Sequence, residues 1–207
     1  MVRLSKTISD FSYAEELSHA KQTLVELVNQ VAYNGEYYVR AFSKFGIVGD
    51  KTCENGGKIY VNPQSWAILA DMCPEDRKQS VLKAIDAMET KDGIPMCAPS
   101  YAIYDESVGR MSGMLPGVYE NGGIYNHAGC FKVMADCKAG RGERAVETLK
   151  KIIPGGIRND SYLTTAEPYV FTNCYLKHPS VDMKVGFSWQ TGTSAWGLTV
   201  SYTHLRA

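Results

Sequence analysis

The chain has 207 residues, enough for one domain with a substantial core, and its 22 basic residues balance 22 acidic ones. A formal charge of zero provides no basic surface to hold nucleic acid or an anionic membrane, so neither partner is expected. No apolar run approaches the ~18 residues of a membrane-spanning helix, and the N-terminus lacks the apolar core of a secretory signal. We therefore expect a cytoplasmic protein.

Apolar spacing predicts a mainly helical chain. Helices are expected at residues 13–34, 66–73, 125–139 and 143–153, with further helices opening at Pro74 and near Gly192. Residues 167–176 are interpreted as a helix or a short buried segment. Residues 94–123 have no periodicity, and loops of this length are usually functional or disordered; their aromatic and proline residues favour an ordered, functional segment. Helix pairs joined by alternately short and long connections predict a bundle or toroid of helical hairpins.

The six cysteines are far apart in the sequence and form no CxxC pair, so a zinc cluster is not expected. Cys130 and Cys137 are seven residues apart, which places both on one face of a helix. We therefore expect reduced thiols that are mostly buried in the core.

The first candidate site is the segment YENGGIYNHAG, residues 119–129. It places the carboxylate of Glu120 and the imidazole of His127 on either side of a Gly-Gly step, just before a predicted helix. An imidazole in the first turn of a helix can bind an anion, and a carboxylate can accept two hydrogen bonds from a sugar diol. In the structural alternative, Asn121 and Gly122 form a turn, His127 is a half-buried ring with its hydrogen bonds satisfied, and Glu120 is a surface acid.

The second candidate site is the segment SWQTGTSAW, residues 188–196, where a loop becomes a helix. Free backbone N–H groups at a helix N-terminus, together with threonine hydroxyls and Gly192, could cradle a phosphate. In the structural alternative, Thr191 or Thr193 only caps the helix and Gly192 is a turn residue.

Two further segments place amide side chains beside aromatic residues at the mouths of predicted helices. They are NPQSW, residues 62–66, which contains Gln64, and EPYVFTN, residues 167–173, which contains Asn173. Each segment alone is compatible with a structural role. The sequence contains no Walker loop, zinc-protease motif, hydrolase nucleophile elbow or Rossmann glycine set, so those classes of enzyme are not indicated.

Five segments occurring in order carry a more specific signal: GKIYVNPQSWAIL, VGRMSGMLPGVYENGGIYNH, GRGERA, EPYVF and SWQTGTSAW. This series resembles the cellobiose/chitobiose phosphorylase family of inverting β-glycoside phosphorylases, over residues 35–198. The resemblance implies that residues 1–199 are the C-terminal half of an (α/α)6 toroidal catalytic domain. Residues 200–207 are interpreted as a non-native tail, because they replace the expected continuation of the last helix.

The resemblance implies a phosphorolysis reaction. Inorganic phosphate would attack the anomeric carbon of a β-linked glucosyl disaccharide, cellobiose-like or laminaribiose-like, and release α-glucose 1-phosphate. Phosphate is then a co-substrate, and no cofactor or metal is expected. The family's general acid is an aspartate in an upstream segment that this sequence lacks, so we expect a fragment without a catalytic residue and inactive alone. The resemblance also allows a homodimer of the full-length protein.

Site residues follow from the same resemblance. Phosphate binding is expected at His127, Thr191 and Gly192. Substrate binding is expected at Glu120, Tyr119, Asn173 and Gln64. Cellobiose phosphorylases carry a lysine where this chain has Tyr119, a tyrosine where it has Met114 and a glutamine where it has Asn173. Cellobiose itself is therefore not implied as the substrate.

Two alternatives to a disaccharide phosphorylase stay open. The first is a non-catalytic carbohydrate-binding helical protein that reuses the toroid, which should bind sugar equally with and without phosphate. The second is the phosphorylase-like region of a cyclic β-1,2-glucan synthase, which would need large upstream domains.

Overall fold

The computed structural model describes residues 1–155, 160–189 and 192–203, with side chains described as far as residue 199. The helices are α1 (Val2–Thr7), α2 (Phe11–Val31), α3 (Val61–Leu69), α4 (Glu75–Met88), α5 (Asn126–Lys138), α6 (Gly142–Ile152), α7 (Ser161–Thr164) and α8 (Thr193–Thr203), with a 3-10 helix at Gly109–Gly113. The prediction of a mainly helical chain is confirmed. The (α/α)6 toroid and the domain boundary after residue 199 stay predictions. The α8 backbone runs on to residue 203, and residues 204–207 of the predicted tail lie outside the described residues.

Short antiparallel strands connect the helices. They are β1 (Ala41–Ser43) paired with β2 (Gly46–Val48), β3 (Ile59–Tyr60) paired with β4 (Cys97–Ala98), and a three-stranded sheet in the order β5 (Ile124–Tyr125), β6 (Cys174–Tyr175), β7 (Val185–Gly186). For residues 167–176 the helical interpretation is wrong, and the interpretation as a short buried segment is confirmed at β6. The sheet ties this segment to the entrance of α5, because β5 ends where α5 begins.

Helix α5 is the centre of the packing. It contacts α3, α6 and α8, and its residues are buried along most of its length. Cys130 and Cys137 both belong to the apolar cluster between α5, α6 and α8, as their spacing predicts, and all six cysteines are free. No helix among the described residues is long and apolar enough to cross a membrane.

Helix α3 begins earlier than predicted. The pattern indicated a start near Trp66, but the helix starts at Val61, directly after β3. The backbone N–H of Val61 donates to the carbonyl of Met96, which lies beside β4, and Pro63 falls in the first turn, where no intrahelical N–H bond is needed. A contact with a distant strand therefore sets this helix boundary.

Residues 94–123 form an ordered loop, as predicted. Asn121 is fully buried: its side chain accepts from the Tyr101 N–H at 2.7 Å and donates to the carbonyls of Tyr101 and Met114 at 3.0 and 2.8 Å. Gly122 has φ of +83°, and a Cβ there would lie 2.0 Å from the Ser100 hydroxyl oxygen. The Asn-Gly step therefore clamps the loop, and the structural alternative is confirmed for these two residues.

Candidate active site

His127 lies in the first turn of α5 with an unsatisfied ring nitrogen. Its Nε2 atom is buried and has no hydrogen-bond partner among the described residues. The ring packs against the Phe131 ring, with centroids 4.9 Å apart, and more loosely against Trp196 at 6.4 Å. Burial lowers the pKa of His127, so the imidazole is neutral near pH 7. A buried polar atom without a partner is rare in folded proteins and points to a ligand.

Gly192 faces this nitrogen from the start of α8. A Cβ on Gly192 would lie 3.2 Å from His127 Cε1 and 3.3 Å from Nε2. The Trp196 N–H donates to the Gly192 carbonyl at 3.1 Å, so Gly192 is the N-cap residue of α8, directly before Thr193. The structure therefore brings together the starts of two helices, where backbone N–H groups and the helix dipole favour an anion.

The two threonines of this segment have different outcomes. Thr193 is buried, and its hydroxyl donates to the Thr172 carbonyl at 3.1 Å, so this hydroxyl holds α8 in place. Thr191, which was predicted to bind phosphate, lies outside the described residues. Its role stays a prediction.

A cleft of about 420 Å³ lies on the other side of the Gly-Gly step. It is lined by Arg110, Met111, Met114, Tyr119, Glu120 and Phe187. Two predicted substrate-binding residues, Tyr119 and Glu120, therefore line the same opening, and they do so beside Met114. A cleft of this size with apolar walls and few polar groups is typical of a small-molecule site.

Two aromatic residues form one wall of this cleft in an unusual backbone conformation. The rings of Tyr119 and Phe187 stack with centroids 5.2 Å apart and planes inclined by 28°. Both residues have positive φ, +48° and +62°, which is sterically unfavourable for side chains of this size. Such strain clusters at functional sites, so the stacked pair supports a binding role for the cleft.

Glu120 is held by a neighbouring hydroxyl. The Tyr125 O–H donates to Glu120 Oε1 at 3.1 Å. Burial and the charge of Glu120 raise the pKa of Tyr125, so this hydroxyl stays protonated and remains a donor. One carboxylate oxygen thus has a fixed partner, and the second is available to accept from a ligand.

Asn173 lies between the two halves of the site. Its carbonyl accepts from the Asn126 N–H at 2.9 Å, next to His127, and its own N–H donates to the Phe187 carbonyl at 3.0 Å. Its side chain lies beside the Tyr125 hydroxyl. The residues predicted to bind phosphate and those predicted to bind sugar are therefore connected through one backbone segment.

Gln64 does not belong to this arrangement. Its side chain is fully buried, accepts from the Tyr38 N–H at 2.8 Å and donates to the carbonyls of Tyr38 and Tyr60 at 2.7 and 3.1 Å. All of these partners are backbone groups of the fold, so Gln64 has no accessible atom for a ligand. We correct the prediction and leave Gln64 out of the proposed site.

Sequence reasoning missed Arg110 and Phe187. Arg110 precedes Glu120 by ten residues inside the motif that carries the resemblance, and Phe187 follows a glycine. A Cβ on Gly186 would lie 2.7 Å from Tyr119 Cε1, so this glycine permits the approach of the two stacked residues. The glycine was a usable signal for Phe187, whereas nothing local distinguishes Arg110 from another surface arginine.

The chain is similar to known proteins of one family. It matches the family described as "Glycosyl hydrolase 94 superfamily, catalytic domain" over residues 1–205. It is 36% identical to a solabiose phosphorylase from Paenibacillus borealis, over 92% of this chain and 25% of that protein. It is 30% identical to a 3-O-beta-D-glucopyranosyl-beta-D-glucuronide phosphorylase from the same organism, over 96% of this chain and 26% of the relative.

A cellobionic acid phosphorylase from Neurospora crassa is also 30% identical, over 81% of this chain and 22% of the relative. The chain thus spans about a quarter of the length of these curated relatives. The family match extends over nearly all of its residues. The chain belongs to the glycosyl hydrolase 94 superfamily.

Proposed function

We propose that the protein carrying this chain is an inverting β-glucoside phosphorylase, and that this chain supplies its phosphate site and one sugar-binding cleft. The observation that carries the proposal is the buried Nε2 of His127, which has no hydrogen-bond partner in the part of the chain that the structure describes and faces Gly192 at the start of α8. All three relatives are phosphorylases by name, which supports the reaction class. Three expectations stay predictions: the chain alone is inactive, the protein is cytoplasmic, and the full-length protein is a dimer.

In this proposal His127 and the α8 N-terminus hold inorganic phosphate. His127 donates one hydrogen bond from Nε2, and the backbone N–H groups around Gly192 donate others. Phosphate arrives already anionic, so it attacks the anomeric carbon without a general base. The site holds it in line with the β-glucosidic bond, and the general-acid aspartate expected upstream protonates the leaving oxygen. Attack from the opposite face gives α-glucose 1-phosphate.

The substrate we propose is a β-glucosyl disaccharide whose second sugar lies in the cleft beside Glu120. The second oxygen of Glu120 accepts from sugar hydroxyls, and the stacked rings of Tyr119 and Phe187 pack against sugar C–H bonds. The three relatives are named for three different disaccharides. Together with Tyr119 and Met114 at positions where cellobiose phosphorylases carry other residues, this variety argues against cellobiose itself and leaves a laminaribiose-like or another β-glucosyl disaccharide as the substrate.

The test is phosphorolysis by the full-length protein that contains these residues. Sugar 1-phosphate should form only when both disaccharide and phosphate are present, and proton NMR should identify the α anomer. His127→Ala should lower kcat/KM for phosphate roughly 10- to 100-fold, the loss of one or two hydrogen bonds to a charged group. His19→Ala, on the exposed surface of α2, is the matched control. Sugar binding that ignores both phosphate and His127 would support the carbohydrate-binding alternative instead.

A further inference from the structure

The cleft beside Glu120 contains two side chains of opposite charge in an otherwise apolar wall. Arg110 and Glu120 are its charged members, and the remaining lining comes from two methionines and two aromatic rings. The volume of about 420 Å³ is sufficient for a single sugar ring with its substituents. Arg110 and Glu120 are therefore the two groups of the cleft that can make charge-assisted hydrogen bonds to a ligand.

Arg110 is available for a ligand. It is exposed on the 3-10 helix Gly109–Gly113, and among the described residues no carboxylate forms an ion pair with its guanidinium. Asp105, the acid at the base of the same loop, is already engaged: its oxygens accept from Ser107 and from Asn55. Arg110 thus lines the cleft, and its guanidinium has no side-chain hydrogen bond or ion pair with another described residue.

The position of Arg110 is fixed by the loop around it. The Ser112 hydroxyl is buried, and the carbonyls of Gly109 and Asp105, at 2.7 and 3.0 Å, share its single O–H donor. The Asp105 N–H donates back to the same hydroxyl at 2.9 Å. This clamp holds the 3-10 helix in one geometry, so Arg110 starts from a defined backbone position at the edge of the cleft.

Glu120 does not neutralise Arg110 either. The hydrogen bond from Tyr125 orients the Glu120 carboxylate, and the structure contains no ion pair between the two charged residues of the cleft. A sugar entering the cleft can therefore meet a hydrogen-bond acceptor at Glu120 and, separately, a planar cation at Arg110. Hydroxyl groups satisfy the acceptor, and a carboxylate satisfies the guanidinium, with two parallel hydrogen bonds.

We propose that Arg110 is a specificity-determining residue that selects an acceptor sugar carrying a carboxylate, a uronic or an aldonic acid. The inference rests on the proposed phosphorylase function, because it describes the acceptor side of the same site. A neutral sugar would leave the guanidinium with water alone, whereas a carboxylate converts it into a charge-assisted, geometrically specific contact.

The test uses the full-length protein in the synthetic direction, with α-glucose 1-phosphate as donor and phosphate release as the readout. Glucuronate and gluconate are compared with glucose and with the methyl ester of glucuronic acid, which keeps the shape and loses the charge. Wild-type protein should use a charged acceptor at least ten times better, in kcat/KM, than the neutral sugars. Arg110→Gln should lower kcat/KM for the charged acceptor roughly 10- to 100-fold and change the neutral ones less than about 3-fold.

Two variants sharpen the result. Arg110→Lys keeps the charge without the planar fork and should recover part of the loss. Arg3→Gln, on the exposed surface of α1, is the matched control and should change nothing.

The outcomes separate this inference from the function on which it rests. Equal use of charged and neutral acceptors, or an equal loss for both in Arg110→Gln, overturns the inference and leaves the phosphorylase function standing. Absence of phosphate release with every acceptor overturns the proposed function, and the inference falls with it. A preference for charged acceptors that disappears selectively in Arg110→Gln supports both.

Discussion

Helix α5 contains buried polar groups that have hydrogen-bond partners and one that has none among the described residues. From the middle of α5 toward its C-terminal end the buried groups are paired: the Lys132 ammonium is completely buried and contacts Glu89 at 3.0 Å, Asp136 at 2.6 Å and the Thr148 hydroxyl at 2.9 Å. Lysine has three N–H donors, and each has a partner here. At the N-terminal end, the buried Nε2 of His127 has none among the described residues.

This difference separates a structural polar group from a binding group. The carboxylates around Lys132 are themselves buried, and Glu89 also contacts Arg144 and Lys151, so the cluster is closed and leaves no place for a ligand. Burial raises the pKa of Glu89, but the charges and hydrogen bonds of Lys132 and Lys151 outweigh it and hold that pKa below its usual value. His127, by contrast, has a pKa lowered by burial alone, with no compensating contact.

Removing the charge of Lys132 from its buried cluster should have the largest effect on stability. Lys132→Met keeps the length of the side chain but leaves Glu89 and Asp136 buried without their shared cation. We expect a loss of about 3–5 kcal/mol in the free energy of unfolding, measured by urea denaturation. Lys150→Met, on the exposed face of α6, is the control and should change stability by less than about 0.5 kcal/mol. Equal behaviour of the two variants would mean that the cluster is not structural.

A side chain added between His127 and the start of α8 should weaken ligand binding and leave the fold intact. Gly192→Ala would place a Cβ 3.2–3.3 Å from the His127 ring, tighter than ordinary contact, so the ring or the helix start must shift. We expect phosphate affinity to fall about 10-fold, which corresponds to one hydrogen bond, as measured by calorimetry or by KM for phosphate.

Gly142→Ala is the matched control for Gly192→Ala. It lies in the first turn of α6, where an added Cβ meets nothing within 4 Å, so phosphate affinity should stay unchanged. An unchanged affinity in Gly192→Ala as well would argue against the pairing of His127 with the start of α8.

Protonation of His127 should change both stability and phosphate binding, by less than the substitutions above. Because burial lowers its folded-state pKa below the ~6.5 of an unfolded chain, its contribution to stability is complete above pH ~6.5. That contribution decreases as the pH falls through the folded pKa. A bound phosphate favours the charged imidazole, so we expect phosphate to raise the pKa of His127 and to bind more tightly as the ring protonates.

The measurement is an NMR titration of the His127 ring protons with and without phosphate. The His127→Ala variant assigns the resonance, and the exposed His19 reports any general effect of the added salt. A His127 pKa that phosphate leaves unchanged, or lowers, would contradict anion binding at this end of α5.

The sequence predicted best those elements whose boundaries depend on nearby residues. Helices α5 and α6 match residues 125–139 and 143–153 within one residue at each end, because an apolar face and a glycine-containing connection define them locally. Helix α3 was placed five residues late, because its start depends on a contact with Met96 on another segment. The short helix α1 was not predicted.

Local sequence likewise indicates some of the candidate site residues and not others. His127 and Gly192 were predicted from the family resemblance, and their positions at two helix starts agree with that prediction, although 65 residues separate them. Their role in phosphate binding stays a prediction. Gln64 was misassigned because a local pattern does not reveal whether an amide faces the core or an opening, and here it bonds the buried backbone of Tyr38. Phe187 lines the cleft and stacks on Tyr119, and the glycine before it, Gly186, is the local signal of that close approach, although the sequence does not show which ring approaches.

The smallest effect should come from the hydroxyl that orients Glu120. Tyr125→Phe removes one neutral donor to a charged oxygen and leaves the ring in place, so KM for the acceptor sugar should rise roughly 2- to 10-fold while KM for phosphate is unchanged. Tyr162→Phe, on a ring that is 95% exposed, provides the control. Equal changes in both KM values would mean that Tyr125 supports the whole site through the sheet strand that leads into α5, rather than the cleft alone. A change confined to the acceptor would separate the two halves of the site energetically, although the Asn173 backbone joins them.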